Sequence, residues 1–271
     1  NKVKEKQKKK LINKLNKLKK CIDCLGFLGI KFTQFFISKI FYEKGKRFIV
    51  NYFRDIFDNC PVHDIEYTKK IFKEDLNIKI EKYINIDTIE LFASGSIGQV
   101  YKCQRLIDKK EIAIKVKHPN IEKELYYFNS LITLLKFIQK IPYFKKKFKI
   151  LFNFDDFKNH LVNQSDFRIE ARHCMRFNKD YENNKFIIIP EVIKYTDRIL
   201  ISTFEDGIDF NEVSNYNKSQ IILNFICFNY NSALIKNYIH GDLHIKNWKI
   251  REIKYKENNN NIKKYAIVIY D

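Results

Sequence analysis

The chain has 271 residues, 51 Lys plus Arg against 32 Asp plus Glu, and a formal charge of +19, which excludes an acidic solvating tail and a minimal disulfide scaffold. Its length suits one large domain or two small ones, and 45% hydrophobic with 15% aromatic residues is a globular composition. Only eight of the cationic residues are Arg and 43 are Lys; Lys lacks the bidentate fork that reads bases, which argues against a sequence-specific DNA reader. Two sources of the charge stay open. One is compositional bias, since Lys, Asn, Ile, Phe and Tyr abound beside 7 Gly and 4 Pro; the other is attraction to anionic lipid or RNA.

Residues 1–20 hold ten Lys with Leu11, Ile12, Leu15 and Leu18 at helical spacing, predicting a basic amphipathic helix that continues toward the apolar residues 24–36. It reads either as a solvated helix packed by one stripe or as a contact with an anionic membrane surface. Residues 89–92, 97–104 and 111–117 are β-rich, with Asp108-Lys109-Lys110 as a turn, and predict an antiparallel sheet. A helix follows over 121–141, with Leu125, Phe128, Leu131, Leu134, Leu135 and Ile138 on one face and Pro142 as its stop. Residues 154–181 read as another helical stretch, 186–190 and 198–204 as strands, and 219–236 as a helix. That last segment is uncharged from 219 to 235 but is short for a membrane span and broken by Asn224, Asn229 and Asn231, so it reads as a buried core helix. Residues 258–261, all Asn, read as an exposed loop insertion. Asn1 stands where a start Met would, leaving open whether a targeting peptide precedes it.

The cysteines are Cys21, Cys24, Cys60, Cys103, Cys174 and Cys227. A single C-x-x-C without a second pair is weak evidence for a metal site, and the cysteines read as buried or idle thiols in a reducing compartment. His63, His118, His160 and His173 have no paired metal spacing and read as surface or core histidines.

The segment from Tyr238 to Asp271 carries the most chemistry. Asp242 is followed five residues later by Asn247, and the apolar run 265–270 delivers Asp271. Kinase-like folds build a phosphoryl-transfer centre in this way: the first Asp aligns the attacking oxygen, the Asn holds one metal ion, and the second Asp holds the ion bridging the phosphates. Upstream, Ile112-Ala113-Ile114-Lys115-Val116 matches the strand whose Lys reaches the α- and β-phosphates. Before it, Ala93-Ser94-Gly95-Ser96-Ile97-Gly98-Gln99-Val100 stands where backbone amides would cover the phosphates. Phe204-Glu205-Asp206-Gly207-Ile208 is similar to the hinge that meets an adenine. His240 reads as a residue fixing the catalytic loop, and Ser96 as a cap or phosphate contact rather than a nucleophile.

These motifs resemble the UbiB-type, or aarF-domain-containing, atypical kinase-like family. Its phosphate loop is A-A-A-S-I-G-Q-V, of which residues 93–100 keep six letters, departing at Ser94 and Gly95. Its catalytic loop, H-x-D-P-H-x-x-N, is matched by His240 to Asn247 with Leu243 for Pro and His244 kept. Its D-[FY]-x-x-E-A signature is matched by Asp166 to Ala171, making Glu170 the implied partner of Lys115. Its N-terminal L-G-x-x-F-I-K-x-G-Q extension aligns with Leu25 to Gln34, keeping Lys31 and Gln34 but with Gly29 for Phe and Thr33 for Gly. The element E-x-D that faces the extension reads Gln164-Ser165-Asp166, so a partner of Lys31 is lost.

The resemblance implies an α+β, two-lobed protein-kinase-like fold with an N-terminal helical extension and a C-lobe incomplete in this chain. The division expected is 1–85 as the basic extension, 86–205 as the N-lobe with its helical insertion, and 206–271 as a partial C-lobe. It further implies ATP and Mg2+ as cofactors and an ATPase or small-molecule phosphotransferase in ubiquinone or prenyl-lipid metabolism. The setting implied is mitochondrial or plastid and membrane-associated. In this reading Asp242, Lys115 and Glu170 are catalytic, residues 93–100 and Lys115 bind nucleotide, Asn247 and Asp271 hold metal, and Lys31 with Gln34 mark a regulatory extension. Nucleotide is the expected partner, with anionic or prenyl lipid and a membrane surface as further ones; no aromatic-rich RNA motif supports nucleic acid. The alternative is a catalytically weak or inactive kinase-fold scaffold that binds lipid or membrane.

Overall fold

The structure is a computed structural model that describes residues 2–40, 48, 52–53, 60, 62–139, 154–241, 243, 245–257 and 260–270. Asp242, His244 and Asp271 lie outside the described residues, as do the Pro142 helix stop and residues 258–259 of the Asn run. The chain divides into two packing units: Asn1–Ile71, Leu91–Val100 and Lys115–Ser165 form the first, and Phe72–Glu90, Tyr101–Ile114 and Asp166–Asp271 the second.

In the first unit, α1 (Lys2–Cys24) and α2 (Gly26–Ile40) meet at Gly26. Its φ of 56° is a left-handed turn that glycine adopts without a Cβ clash. Leu15 and Ile22 of α1 pack with Ile30 and Ile37 of α2 and with Phe53, while Leu11 and Leu18 stay exposed. The buried stripe of α1 is therefore narrower than its apolar spacing predicts. Helix α3 (Ile65–Leu76) was not foreseen. It begins after Asp64, whose carboxylate accepts the Glu66 N–H at 3.0 Å, and it buries Thr68, Ile71, Phe72 and Leu76 at helical spacing.

Helices α4 (Ile121–Gln139) and α5 (Phe154–Gln164) complete this unit. Ile121, Phe128 and Ile132 join Phe27, Phe157 and Leu161 in a second cluster, with Phe128 edge-on to Phe157. This corrects the stripe expected for α4: Leu131 and Leu134 face solvent, because the face turned to α2 and α5 runs through 121, 125, 128 and 132 instead.

Strands β1 (Ile84–Ser94), β2 (Gly98–Arg105) and β3 (Glu111–Lys117) cross the division between units. The second unit extends them with β5 (Val192–Tyr195) and β6 (Ile199–Thr203) into a five-stranded sheet of order β1-β2-β3-β6-β5. The expected three strands are thus part of a wider sheet, and β5 was unforeseen. The β5–β6 turn is tied to the end of α3: half-buried Asp75, its side chain 7% exposed, accepts from Thr196 Oγ1 at 2.6 Å and from Arg198 Nε at 3.0 Å, a charge-assisted set that compensates the covering of the carboxylate.

Helix α6 (Phe167–Tyr181) is separate from α5, correcting the single stretch expected over 154–181. The cause is local. Asp166 is extended and its side chain accepts the Arg168 N–H at 3.0 Å, an N-cap that starts a new helix. Helix α7 (Asn215–Tyr230) runs into a π turn, Asn231–Ile235. There the Tyr181 hydroxyl donates to the Phe228 carbonyl at 3.3 Å and meets Ser232 Oγ at 2.7 Å. α7 buries Ile221 and Phe228 but exposes Ile222, Leu223 and Ile226, so it is a one-sided helix and not the buried one expected. Among the described residues no helix is long and apolar enough to cross a membrane.

A second sheet, of order β4-β8-β7, closes the unit: β4 (Ile187–Ile188), β7 (Trp248–Glu257) and β8 (Asn260–Ile269). β7 and β8 pair over ten positions, from Trp248 opposite Ile269 to Glu257 opposite Asn260. The Asn-rich insertion is therefore absorbed into a long hairpin, with Asn260 and Asn261 already in β8. Ile250, Ile267 and Ile269 pack with Phe177, Ile221 and Phe228 in the core.

Candidate functional site

In the first unit, residues 93–98 turn the chain from β1 into β2, and the turn is closed by the Gly95 N–H donating to the Gly98 carbonyl at 2.9 Å. Ala93 and Gly95 are exposed, Ser94, Ile97 and Val100 are half-buried, and Ser96, Gly98 and Gln99 are buried. A Cβ on Gly95 would meet the Gly98 carbonyl oxygen at 3.5 Å, ordinary contact, so this departure from the motif Ala is not forced by space. Strand alternation places Ile112, Ile114 and Val116 in the core and turns Lys115, half-buried, to the other face. Its neighbour Lys117 is buried and pairs with Glu122 at 2.9 Å.

Two histidines read from sequence as surface or core residues, His63 and His118, are buried and joined against this turn. His63 Nδ1 lies 2.8 Å from His118 Nδ1, and His118 Nε2 lies 3.0 Å from the Gly95 carbonyl. Burial lowers the pKa of both; His63 is lowered to about 4, with His118 as a second cause. No spacing in the sequence could pair residues 55 positions apart, although the placement of His118 just after the Lys115 strand was a visible signal.

The extension explains its own departures. A Cβ at Gly29 would stand 2.2 Å from the Ile22 carbonyl oxygen, so the motif Phe cannot occupy this close passage of α1 over α2. One turn on, the buried Thr33 donates its hydroxyl to the Gly29 carbonyl at 2.8 Å. Gly26 likewise leaves space for Glu124 of α4, since a Cβ there would lie 2.9 Å from Glu124 Oε1. That carboxylate accepts the Leu28 N–H at 3.4 Å at the start of α2. Burial raises the Glu124 pKa, opposed by the Leu28 and Phe27 amides. Lys31 and Gln34 are half-buried on α2. Gln164 Oε1, where the family motif has Glu, is buried with no hydrogen-bond partner.

In the second unit, Glu170 occupies the first turn of α6 and is half-buried. Asp166, beyond capping this helix, is held by Arg168 through Nε at 2.9 Å and Nη2 at 2.8 Å. His240 rests on Phe177 with ring centroids 5.6 Å apart, and Leu243 packs against the same core, which accommodates Leu where the motif has Pro. Asn247 precedes β7, and its carbonyl accepts the Tyr270 N–H at 3.0 Å. The 204–208 segment is joined to this hairpin: Ile208 and Ile250 exchange backbone bonds of 2.8 and 2.9 Å. Arg251 Nη1 donates to Glu205 Oε2 at 2.7 Å, and the Tyr270 hydroxyl to the Glu205 carbonyl at 2.8 Å. Gly207 is required there, since a Cβ would lie 2.6 Å from Lys249 Cβ.

The expected site residues are thus distributed. Residues 93–100 and Lys115 belong to the first unit, with Lys31 and Gln34; Glu170 and Asn247 belong to the second. Among the described residues no cluster of three His, Cys, Asp or Glu could hold a metal ion. All six cysteines are free, with Cys21, Cys24 and Cys227 exposed.

The fold and the spacing of these motifs define a kinase-like protein. A family model for the ABC1 atypical kinase-like domain matches residues 55–271, and the chain belongs to that family. It is 27% identical over 232 residues to "Probable serine/threonine-protein kinase abkC" of Dictyostelium discoideum, covering 80% of this chain and 33% of the relative. It is 20% identical over 196 residues to "Probable protein kinase UbiB" of Shewanella pealeana, covering 69% and 36%. Among solved structures it resembles "The complex structure of Rv3197-erythromycin from Mycobacterium tuberculosis", with a TM-score of 0.59 at 18% identity over 78% of this chain and 51% of that one. The chain spans about a third of the length of the curated relatives it matches.

Proposed function

We propose that this chain is the nucleotide-handling part of an atypical kinase-like ATPase or phosphotransferase that binds ATP with Mg2+. The observation that carries this reading is the register of the β7–β8 hairpin, in which Asn247 is bonded to Tyr270, the residue before Asp271. Asn247 and Asp271 together offer carboxamide and carboxylate oxygens, the hard donors that Mg2+ takes. The ion, when bound, supplies charge neutralisation on the phosphate oxygens.

The chain's own residues have distinct tasks in this reading. The 93–100 loop covers the phosphates with backbone amides, and Lys115 meets phosphate charge with Glu170 as its partner in charge. Asp242 aligns the acceptor oxygen, of water or a substrate hydroxyl, and takes its proton. Lys31 and Gln34 belong to a regulatory extension, and the functional division runs 1–85, 86–205 and 206–271. Family membership supports a role in ubiquinone or prenyl-lipid metabolism in a mitochondrial or plastid membrane setting.

The test is phosphate release from Mg-ATP, expected in the wild-type chain and lost in Lys115→Met and in Asp242→Asn. Turnover unchanged in both variants would overturn the assignment. A second reading, a non-catalytic scaffold at a membrane surface, is favoured by the Lys-rich α1 with its exposed Leu11 and Leu18. Binding to anionic liposomes without any turnover, unchanged by Asp242→Asn, would support it instead.

A further inference from the structure

The contacts around His63 and His118 fix which ring nitrogens carry a hydrogen. The Gly95 carbonyl can only accept, so His118 Nε2, 3.0 Å away, carries the hydrogen. Neutral His118 then presents a bare Nδ1, which receives the Nδ1–H of His63 at 2.8 Å. The remaining nitrogen of His63, Nε2, accepts from the Thr68 hydroxyl at 3.0 Å. Ser94 Oγ lies 3.5 Å from His118 Nε2 at the edge of the same contact. The backbone of residue 63 is locked as well: Gln99, fully buried, accepts the His63 N–H at 2.9 Å and donates to the His63 carbonyl at 3.0 Å. The His118 N–H, finally, donates to the Ile97 carbonyl at 2.8 Å.

Two carbonyls of the turn, those of Gly95 and Ile97, are therefore drawn toward His118. In a trans peptide the carbonyl and the following N–H point opposite ways, and the described residues contain no cis peptide. Holding these carbonyls turns the N–H groups of Ser96 and Gly98 to the far side of the turn.

We propose that His63 and His118 are a positioning pair that clamps the phosphate loop, orienting the Ser96 and Gly98 amides toward a nucleotide's phosphates; this rests on the nucleotide reading above. The pair works as a neutral strut. A second proton on it would set two N–H groups against each other at Nδ1. Burial keeps it neutral against the nearby Asp64 carboxylate, which favours the charged form; Tyr67 lies edge-on to His63 with centroids 4.8 Å apart, and the adjoining Lys117 pairs with Glu122. Mg2+ and the acceptor chemistry are not involved.

The test combines two measurements on the full chain. Two-bond proton–nitrogen NMR of 15N-labelled protein reads the tautomers: His63 is expected as the Nδ1–H form and His118 as the Nε2–H form, unchanged between about pH 8 and about pH 6. The same tautomer on both rings, or titration of either near its ordinary value, overturns the clamp. Calorimetry then compares Mg-ADP with adenosine. His118→Ala is expected to weaken Mg-ADP about tenfold, the effect of losing one hydrogen bond, and to leave adenosine unchanged. His118→Gln, whose amide can still donate to Gly95, is expected to recover most of that loss. Equal weakening of both ligands would make the pair merely structural and overturn the phosphate role. A wild-type chain that binds neither ligand contradicts the nucleotide reading, while the tautomers still decide the clamp.

Discussion

The N–H of Tyr270 donates to the carbonyl of Asn247 at 3.0 Å. This bond closes the open end of the β7–β8 hairpin and brings Asn247, the last residue of the 240–247 motif, beside the residue that precedes Asp271 in sequence. Tyr270 is braced in turn by its hydroxyl, which donates to the Glu205 carbonyl at 2.8 Å, and burial raises its pKa to about 12.

Tyr270→Phe removes that hydroxyl and leaves the Glu205 carbonyl without this donor. The expected cost is about 1 kcal/mol, or roughly 2–4 °C in Tm for a chain of this size, read by scanning calorimetry. Unchanged stability would show that the 204–208 segment does not depend on Tyr270.

The two motif departures at glycine behave oppositely. Gly29→Phe forces a side chain into the Ile22 carbonyl, 2.2 Å from the Cβ position, and is expected to destabilise the first unit by more than about 2 kcal/mol. Gly95→Ala restores a motif letter where the nearest atom is 3.5 Å away, and its stability is expected to stay within about 1 kcal/mol of wild type, with the Gly→Ala entropy gain in its favour. Paired melting curves decide both.

Stability should depend on pH through His63. Folding lowers its pKa from 6.5 to about 4, so between those values the unfolded chain binds more protons. The contribution is fully present above about pH 6.5 and is lost as pH falls toward about 4. Burial lowers the His118 pKa in the same sense. His63→Gln should flatten the Tm profile over that window; an equally steep profile in the variant would remove His63 as the cause.

Much of this was legible in the sequence because the signals were local. Alternation over 111–117 marked β3 and faced Lys115 away from its buried neighbours, and the apolar run before Asp271 marked β8. Helix α3 is not among the expected elements, although Asp64 as cap with Thr68, Ile71, Phe72 and Leu76 behind it forms a usable pattern. The division of α5 from α6 turned on one side chain, Asp166, whose capping role the family motif obscured. The α4 stripe failed for a different reason: Leu131 and Leu134 are as apolar as Phe128 and Ile132, and only the position of α2 and α5 decides which face is covered. The His63–His118 pair, and the exclusion of a Phe at Gly29 by Ile22, are tertiary facts with no spacing of their own.

The proposed site binds nucleotide in a Mg2+-dependent way at Asn247 and Asp271. Its most direct test is the melting temperature of the wild-type chain and of Asp271→Asn, each with ATP in the presence and absence of Mg2+. The wild type is expected to rise by several degrees only when both are present, as ligand linkage requires, and the variant to melt normally without that rise. An equal rise in Asp271→Asn, or none in the wild type, would contradict the account.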